Sequence, residues 1–351
     1  MRANRIDYSE ARQISDETFQ EWTRRLTPAA GDLLFAREAP VGPVVRVPET
    51  PKIAPGQRTV LLRPNPLLID SDYLFYLLTS RLQQARLIQK AEGSTVPHLN
   101  VSDVRSFKLP QLPSLDTQRE ISATLRVLDD KIESNQRAVV LGESLIRSFV
   151  QQALDESEGE LGTLGEYCDL VKKTVKVEDI DESANYIGFE HMPRGSIFLN
   201  SWTSAAGLGS HKAAFSPGDV LFGKLRPYFK KVGIAPVAGI CSTDILVLRA
   251  KDPRDRLLVA SVAASDSLID ALTAASTGTR MPRASWKDLA AWPVPVLSNK
   301  ERETLAAIVA PIHERLEHLT LESISLAELR DTLIPALLSG RICVPVEGAA
   351  A

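Results

Sequence analysis

Residues Gly218–Gly233 read GDVLFGKLRPYFKKVG, and residues Gly31–Gly42 read GDLLFAREAPVG. Each opens on Gly-Asp, enters an apolar run of strand length and leaves it through a basic stretch. A Gly-Asp turn ahead of a short apolar run is the punctuation expected before a buried strand. Working outward, two more pairs appear in the same order and at a near-constant separation. GSTVPHLNVSDV from Gly93 matches GTRMPRASWKDL from Gly278, and LPQLPSLDTQRE from Leu109 matches WPVPVLSNKERE from Trp292. In this last pair Glu301 stands where the first copy has Gln118. Three ordered matches define an internal repeat, which governs every later reading of the chain.

Each copy closes on a long helical pattern. Leu125, Ile132, Val139 and Ile146 recur every seven residues, with Ile121, Leu128 and Phe149 on the companion series. In the second copy Leu305, Ile312, Leu319, Leu326 and Leu333 do the same, with Ile308 and Leu316 supplying part of the other seam position. Sustained heptads predict helices that pack along their length on another helix. The helices are placed at Asp116–Leu154 and Glu301–Leu338, with Pro311 expected to kink the second or mark its start. Asn135 and Gly142 fall on the first seam and suggest a register device and a close-approach point. A helix of about 35 residues spans on the order of 50 Å.

The stretches ahead of the helices hold short β-rich runs: TVLLR (59–63), SIFLN (196–200) and TDILVLRA (243–250). Between them, 73–88 and 255–275 read as amphipathic helices at equivalent places. The expected organisation is a first α/β domain (1–112), a long helix (113–154), a linker (155–162), a second α/β domain (163–297), a second long helix (298–340) and a tail (341–351). The fold class is therefore α+β. It comprises two repeated α/β domains separated by two long antiparallel coiled-coil helices, with pseudo-two-fold symmetry.

Composition narrows the function without fixing it. The net charge of -3 is mildly acidic, but affinity for phosphates depends on where Lys and Arg sit rather than on the sum. Cys168, Cys241 and Cys343 lie far apart, so neither a disulfide framework nor a zinc site is expected. No apolar run has membrane-spanning length and no secretory h-region opens the chain, which makes the cytoplasm the expected compartment. No nucleotide-binding, metalloprotease or serine-hydrolase string is present, nor a methyltransferase cofactor loop, so no catalytic residues are expected. His313 and His318 are five apart and do not share a helix face; no metal is expected. Lys224, Arg226, Lys230 and Lys231 instead crowd one segment with Tyr228 and Phe229, and Arg280 and Arg283 flank a later turn. Such a cluster suits phosphate and base contacts. The matching segment of the first copy carries Arg37 and Arg46 and is far less basic.

The motifs LPQLPSLDTQREISATLRVLDDKIE, LGTLGEYCDLV, SPGDVLFGKLRP and DTLIPALLSGRICV together resemble the specificity subunit of type I restriction-modification systems, from about residue 30 to 343. The resemblance implies two target recognition domains, each reading half of a split double-stranded DNA target, with paired helices as the ruler. A spacing on the order of 50 Å is somewhat more than one DNA turn of about 34 Å. It implies methyltransferase subunits docked on the helices, a restriction and translocase subunit, and S-adenosylmethionine, ATP and magnesium held by those partners rather than by this chain. DNA-facing candidates are Arg37, Thr95, His98, Lys224, Arg226, Tyr228, Lys230, Lys231, Arg280 and Arg283. Only 30 residues precede Gly31, whereas about 57 separate Leu161 from Gly218, so the first domain is expected to lack its opening strands and to be unstable or to read DNA poorly. The alternatives are a coiled-coil adaptor without DNA recognition and a stand-alone DNA-modifying enzyme.

Overall fold

The computed structural model describes residues 1, 4–6, 8, 11–93, 96–275 and 282–343. The chain is α+β and divides into two units: Met1–Lys131 with Leu326–Ala351, and Ile132–Ser325.

The first unit contains α1 (Asp16–Thr23), β1 (Leu33–Arg37), β2 (Val41–Arg46), β3 (Thr59–Leu62), α2 (Ser71–Thr79), α3 (Arg81–Lys90) and α4 (Val101–Arg105). It also holds the first part of α5 (Leu115–Asp155). Its antiparallel sheet has the order β2-β1-β3. Leu33 and Phe35 point to one face and join Tyr73, Tyr76, Leu125 and Leu337; Leu34 points to the other, with Val45 and Val47. Both faces are covered, so β1 reads as an unbroken apolar run rather than an alternating one. The helical stretch expected over 73–88 is two helices. Ser80 takes an extended backbone that ends α2 and starts α3, and its hydroxyl donates to the Leu77 carbonyl at 2.7 Å.

The second unit contains β4 (Leu161–Thr163), α6 (Leu164–Tyr167), β5 (Cys168–Leu170), β6 (Thr174–Val175), β7 (Asn185–Ile187), β8 (Thr203–Ser204), β9 (Lys212–Phe215), β10 (Val220–Gly223), β11 (Val232–Ile234), β12 (Gly239–Cys241) and β13 (Ile245–Ala250). After these come α7 (Arg256–Ala263), α8 (Asp266–Ala275), α9 (Trp286–Ala290), β14 (Pro293–Pro295) and the start of α10 (Asn299–Leu338). One sheet runs β11-β10-β13-β5, a second β6-β9-β12-β7-β8, and β14 pairs with β4. β10 repeats the logic of β1. Val220 and Phe222 enter the core built with α7 and α8, while Leu221 enters the core shared with Ile187, Phe215 and Cys241. Two sequence readings differ here. SIFLN (196–200), buried at Ile197–Leu199, forms only an isolated parallel bridge from Phe198 to Ile234, because its backbone donors go to side chains, the Ile197 N–H to the Glu143 carboxylate and the Phe198 N–H to the Ser196 hydroxyl. Part of the acidic stretch 155–162 is not free chain: Leu161 pairs with Pro295 in β4-β14, and the Val296 N–H donates to the Glu160 carbonyl.

Within the second unit the long helices run antiparallel. Asn135 donates to the Leu319 carbonyl and to Glu322, and Gly142 faces Leu316. A Cβ at Gly142 would stand 2.6 Å from Leu316 Cδ1, so a side chain there must displace that leucine. In the first unit Asp129 on α5 accepts from Arg330 on α10 at 2.7 Å and from the Tyr76 hydroxyl at 2.7 Å. The expected seam is placed as follows. Leu125, Ile132, Ile146, Leu305 and Leu319 are buried, and Leu128, Val139, Ile312, Leu326 and Leu333 are half-buried. Ile308 is exposed, and Val309 and His313 take the buried places instead. The cause is the period, since a helix turning every 3.6 residues drifts off a strict heptad. Pro311 neither starts nor ends α10, which runs as one element; the proline is exposed.

The repeat is legible in the contacts. Asp32 is buried and accepts from the Ala29 N–H and from two nitrogens of Arg63 at 2.7 and 2.6 Å. Asp219 is buried and accepts from the Ser216 N–H and from two nitrogens of Arg249, both at 2.7 Å. Gly31 and Gly218 both turn with positive φ, +91° and +86°, as the Gly-Asp reading expects. At the starts of the long helices Ser114 and Ser298 each accept from a backbone N–H three residues on. This shifts the register of the sequence match by one: Glu301 corresponds to Thr117, and Gln118 to Arg302. Gln118 donates to the Pro113 carbonyl and accepts from the Asp70 N–H, while Arg302 donates to the Leu297 carbonyl and pairs with buried Asp255 at 3.0 Å. One copy thus holds its helix start with a neutral amide and the other with an ion pair.

Candidate nucleic-acid interface

The basic segment of the second unit is the connection from β10 to β11. Its path is fixed by backbone hydrogen bonds. The Lys224 N–H donates to the Asp244 carbonyl, the Ala284 N–H to the Lys224 carbonyl and the Arg226 N–H to the Pro282 carbonyl. Leu225 forms a single antiparallel bridge with Arg283. A short 3-10 turn, Pro227–Phe229, follows, flanked by Arg226 (φ +49°) and Lys230 (φ +50°). Both are left-handed residues other than glycine, a conformation held only where surroundings over-determine it. Here Phe229 donates to the Arg226 carbonyl, Lys230 to the Pro227 carbonyl and Gly195 to the Lys230 carbonyl.

The cations of this loop differ in what they do. Lys230 donates to Asp266 at 2.7 Å. Lys231 is half-buried and donates to the Phe189 and Met192 carbonyls. Its pKa is lowered, first by desolvation and then by nearby Arg194. Arg283 pairs with Asp244 at 3.5 Å. Arg194 lies over the Phe229 ring at 4.3 Å, and Tyr228 packs edge-on against Phe229 while remaining half exposed. Lys224 and Arg226 have no ion-pair or hydrogen-bond partner for their side chains among the described residues, and Arg226 is exposed. Arg280 and Thr95 lie outside the described residues.

The first unit builds the same frame with other side chains. The Arg37 N–H donates to the Arg58 carbonyl, and the Leu99 N–H to the Arg37 carbonyl. Glu38 bridges His98 as Leu225 bridges Arg283. Ala39 is left-handed at φ +50°, the counterpart of Arg226, and each is followed by proline. The Arg37 guanidinium is engaged internally: Nε and one terminal nitrogen donate to the Gln57 carbonyl, and the other to the Leu99 carbonyl at 3.1 Å. His98 is half-buried and exchanges backbone hydrogen bonds with Glu92.

Sequence reasoning passed over Lys172, Lys173 and Lys176, which are exposed around edge strand β6. Their spacing was readable; without the sheet order nothing showed that β6 is an edge. Among the described residues no group of three His, Cys, Asp or Glu could hold a metal. Burial pushes the Cys168 and Cys241 thiols up to about 12, so neither offers a thiolate nucleophile. No single helix among the described residues is long and apolar enough to cross a membrane.

Residues 4–141 match the type I restriction modification DNA specificity domain. The specificity subunit of the type I restriction enzyme EcoDI of Escherichia coli is 24% identical over 286 residues, covering 70% of this chain and 63% of that protein. The chain therefore matches less than two thirds of that relative's length. The MjaIX specificity subunit of Methanocaldococcus jannaschii is 28% identical over 126 residues, 36% of this chain and 28% of that one. The crystal structure of the type I restriction-modification S subunit from M. genitalium superposes with a TM-score of 0.58 at 18% identity, covering 89% of this chain and 84% of that chain. That likeness shows a shared fold. Residues 4–141 thus match a type I restriction modification DNA specificity domain, and the relatives the chain resembles are specificity subunits of type I restriction systems.

Proposed function

We propose that this chain is the non-catalytic, DNA-recognising subunit of a type I restriction-modification complex, each unit reading one part of a bipartite target in double-stranded DNA. One observation carries the reading. Two units keep the same backbone frame, down to the Asp-Arg pair, the single bridge and the left-handed residue, yet present different side chains from the exposed loop. A duplicated scaffold with divergent loop chemistry suits two related domains that read different sequences.

The partners follow the same reading. Methyltransferase subunits would dock on the long helices, where Val127, Val140, Leu141 and Leu145 of α5 expose apolar surface away from the seam. S-adenosylmethionine, ATP and magnesium belong to those subunits and to a restriction and translocase subunit, and the complex acts in the cytoplasm. The test is co-expression with a methyltransferase subunit encoded beside this gene, followed by mapping of methylated adenines. A two-part motif with a fixed gap is expected. A stable complex that methylates no defined motif would refute DNA reading, and failure to form any complex would favour the adaptor alternative.

A further inference from the structure

We propose that Arg226 reads a guanine edge in the part of the target bound by the second unit, and that Ala39 leaves the corresponding position of the first unit without such a contact. The inference rests on the DNA-recognition reading above and names one specificity-determining residue within it.

The argument begins with what the two units share. Lys224 and Arg37 hold the same two backbone hydrogen bonds, Leu225 and Glu38 the same bridge, and Arg226 and Ala39 the same left-handed conformation before proline. Left-handed backbone at a non-glycine residue costs free energy, and glycine is the usual relief. Neither copy uses glycine. The frame therefore presents a side chain here in both units, and that side chain is what differs between them.

The second step is elimination among the cations. Lys230 is tied to Asp266, Lys231 to two carbonyls and Arg283 to Asp244. Lys224 is half-buried at the strand end. Arg226 alone of the five is both exposed and without a side-chain ion pair or hydrogen bond among the described residues; its guanidinium only approaches the Phe229 ring, at 5.9 Å. Its main chain, in contrast, is pinned on both sides by Pro282 and Phe229. A rigid backbone carrying a free guanidinium is the arrangement bidentate recognition requires, because the fork must meet guanine O6 and N7 together. Half-exposed Tyr228 beside it adds a flat apolar contact. The Ala39 methyl offers no hydrogen bond.

The experiment selects sequences from a random double-stranded DNA library with the full chain at fixed salt, comparing wild type with R226A, R226K and R226G. Wild type should enrich a motif, and R226A should lose the preference for one G·C pair, about tenfold or more, leaving the other positions unchanged. R226K should lose the same preference, since an ammonium cannot span both acceptors. R226G separates loop integrity from reading: glycine accepts the left-handed backbone, so a loss shared by R226A and R226G belongs to the side chain. A uniform loss over all sequences that R226K restores would mean a phosphate contact and overturn the proposal. An R226A motif identical to wild type would also overturn it. If wild type itself enriches nothing, DNA recognition by this chain fails, and the proposal with it.

Discussion

At the scale of single residues, the buried polar groups separate scaffold from surface. Asp219 is almost fully buried and accepts one backbone and two guanidinium hydrogen bonds. Removing its charge leaves those donors unmatched at the turn that launches β10. D219N should therefore lower the stability of the second unit by about 2 kcal/mol, read by urea denaturation; an unchanged midpoint would show that the motif does not hold the turn. His313 behaves oppositely. It is buried in the helix seam against Phe198 at 5.3 Å, and its Nδ1 has no hydrogen-bond partner among the described residues. Desolvation, with a smaller repulsion from Arg256, lowers its pKa to about 4. A base whose folded pKa lies below its unfolded value of about 6.5 binds protons preferentially when unfolded. The protonation-linked cost thus vanishes above pH 6.5, and stability falls as pH drops from 6.5 to 4, by about 2–3 kcal/mol in all. H313L should flatten this part of the stability profile and leave stability at pH 7 equal or higher, because the orphaned nitrogen is gone. A variant whose slope between pH 6.5 and 4 matches wild type would assign that slope to other groups.

Among the elements, the long helices test how packing edits a sequence pattern. Gly142 faces Leu316, and an added Cβ would stand 2.6 and 2.8 Å from the methyl carbons of that leucine and 3.1 Å from its Cγ. Alanine there gains helix propensity of about 1 kcal/mol, which offsets a small shift of Leu316, so G142A should be close to neutral. Leucine has no such room, and G142L should cost about 2–3 kcal/mol in thermal unfolding. L316A added to G142L should recover much of that loss, a coupling that independent sites would not show. Heptad counting found Leu125, Ile132, Leu305 and Leu319 because apolar residues at a seam are under direct selection for burial. It misassigned Ile308 and missed His313, since the helix period drifts and a buried histidine carries no apolar signal. The strand starts were legible for a similar reason: Gly-Asp marks a turn whose aspartate must be satisfied. SIFLN was misread because its hydrogen-bond partner, Glu143, lies far away in sequence and can only be found in three dimensions.

For the whole molecule, the repeat was the most legible feature, while the division of labour within the basic loop was not. Lysine and arginine look alike in a sequence whether they end on Asp266, on backbone carbonyls or in solvent. The same holds for Arg37, whose guanidinium ties β1 to the Gln57 and Leu99 carbonyls, a partnership the sequence does not show. Modularity can be tested at this scale. β4 and β14 pair with each other, Leu161 with Pro295 and Thr163 with Pro293, so the second unit's globular part is closed by its own first and last strands. Exchange of residues 163–297 for the matching segment of a type I specificity subunit would keep both helices and cut the chain where that pairing can re-form. On the proposed function, such a chimera, co-expressed with a methyltransferase subunit, should change one part of the methylated motif and preserve the other. The gap should also be preserved, because both helices are retained. Loss of both parts together would mean that the units do not read independently, and an unaltered motif would place recognition outside the exchanged segment.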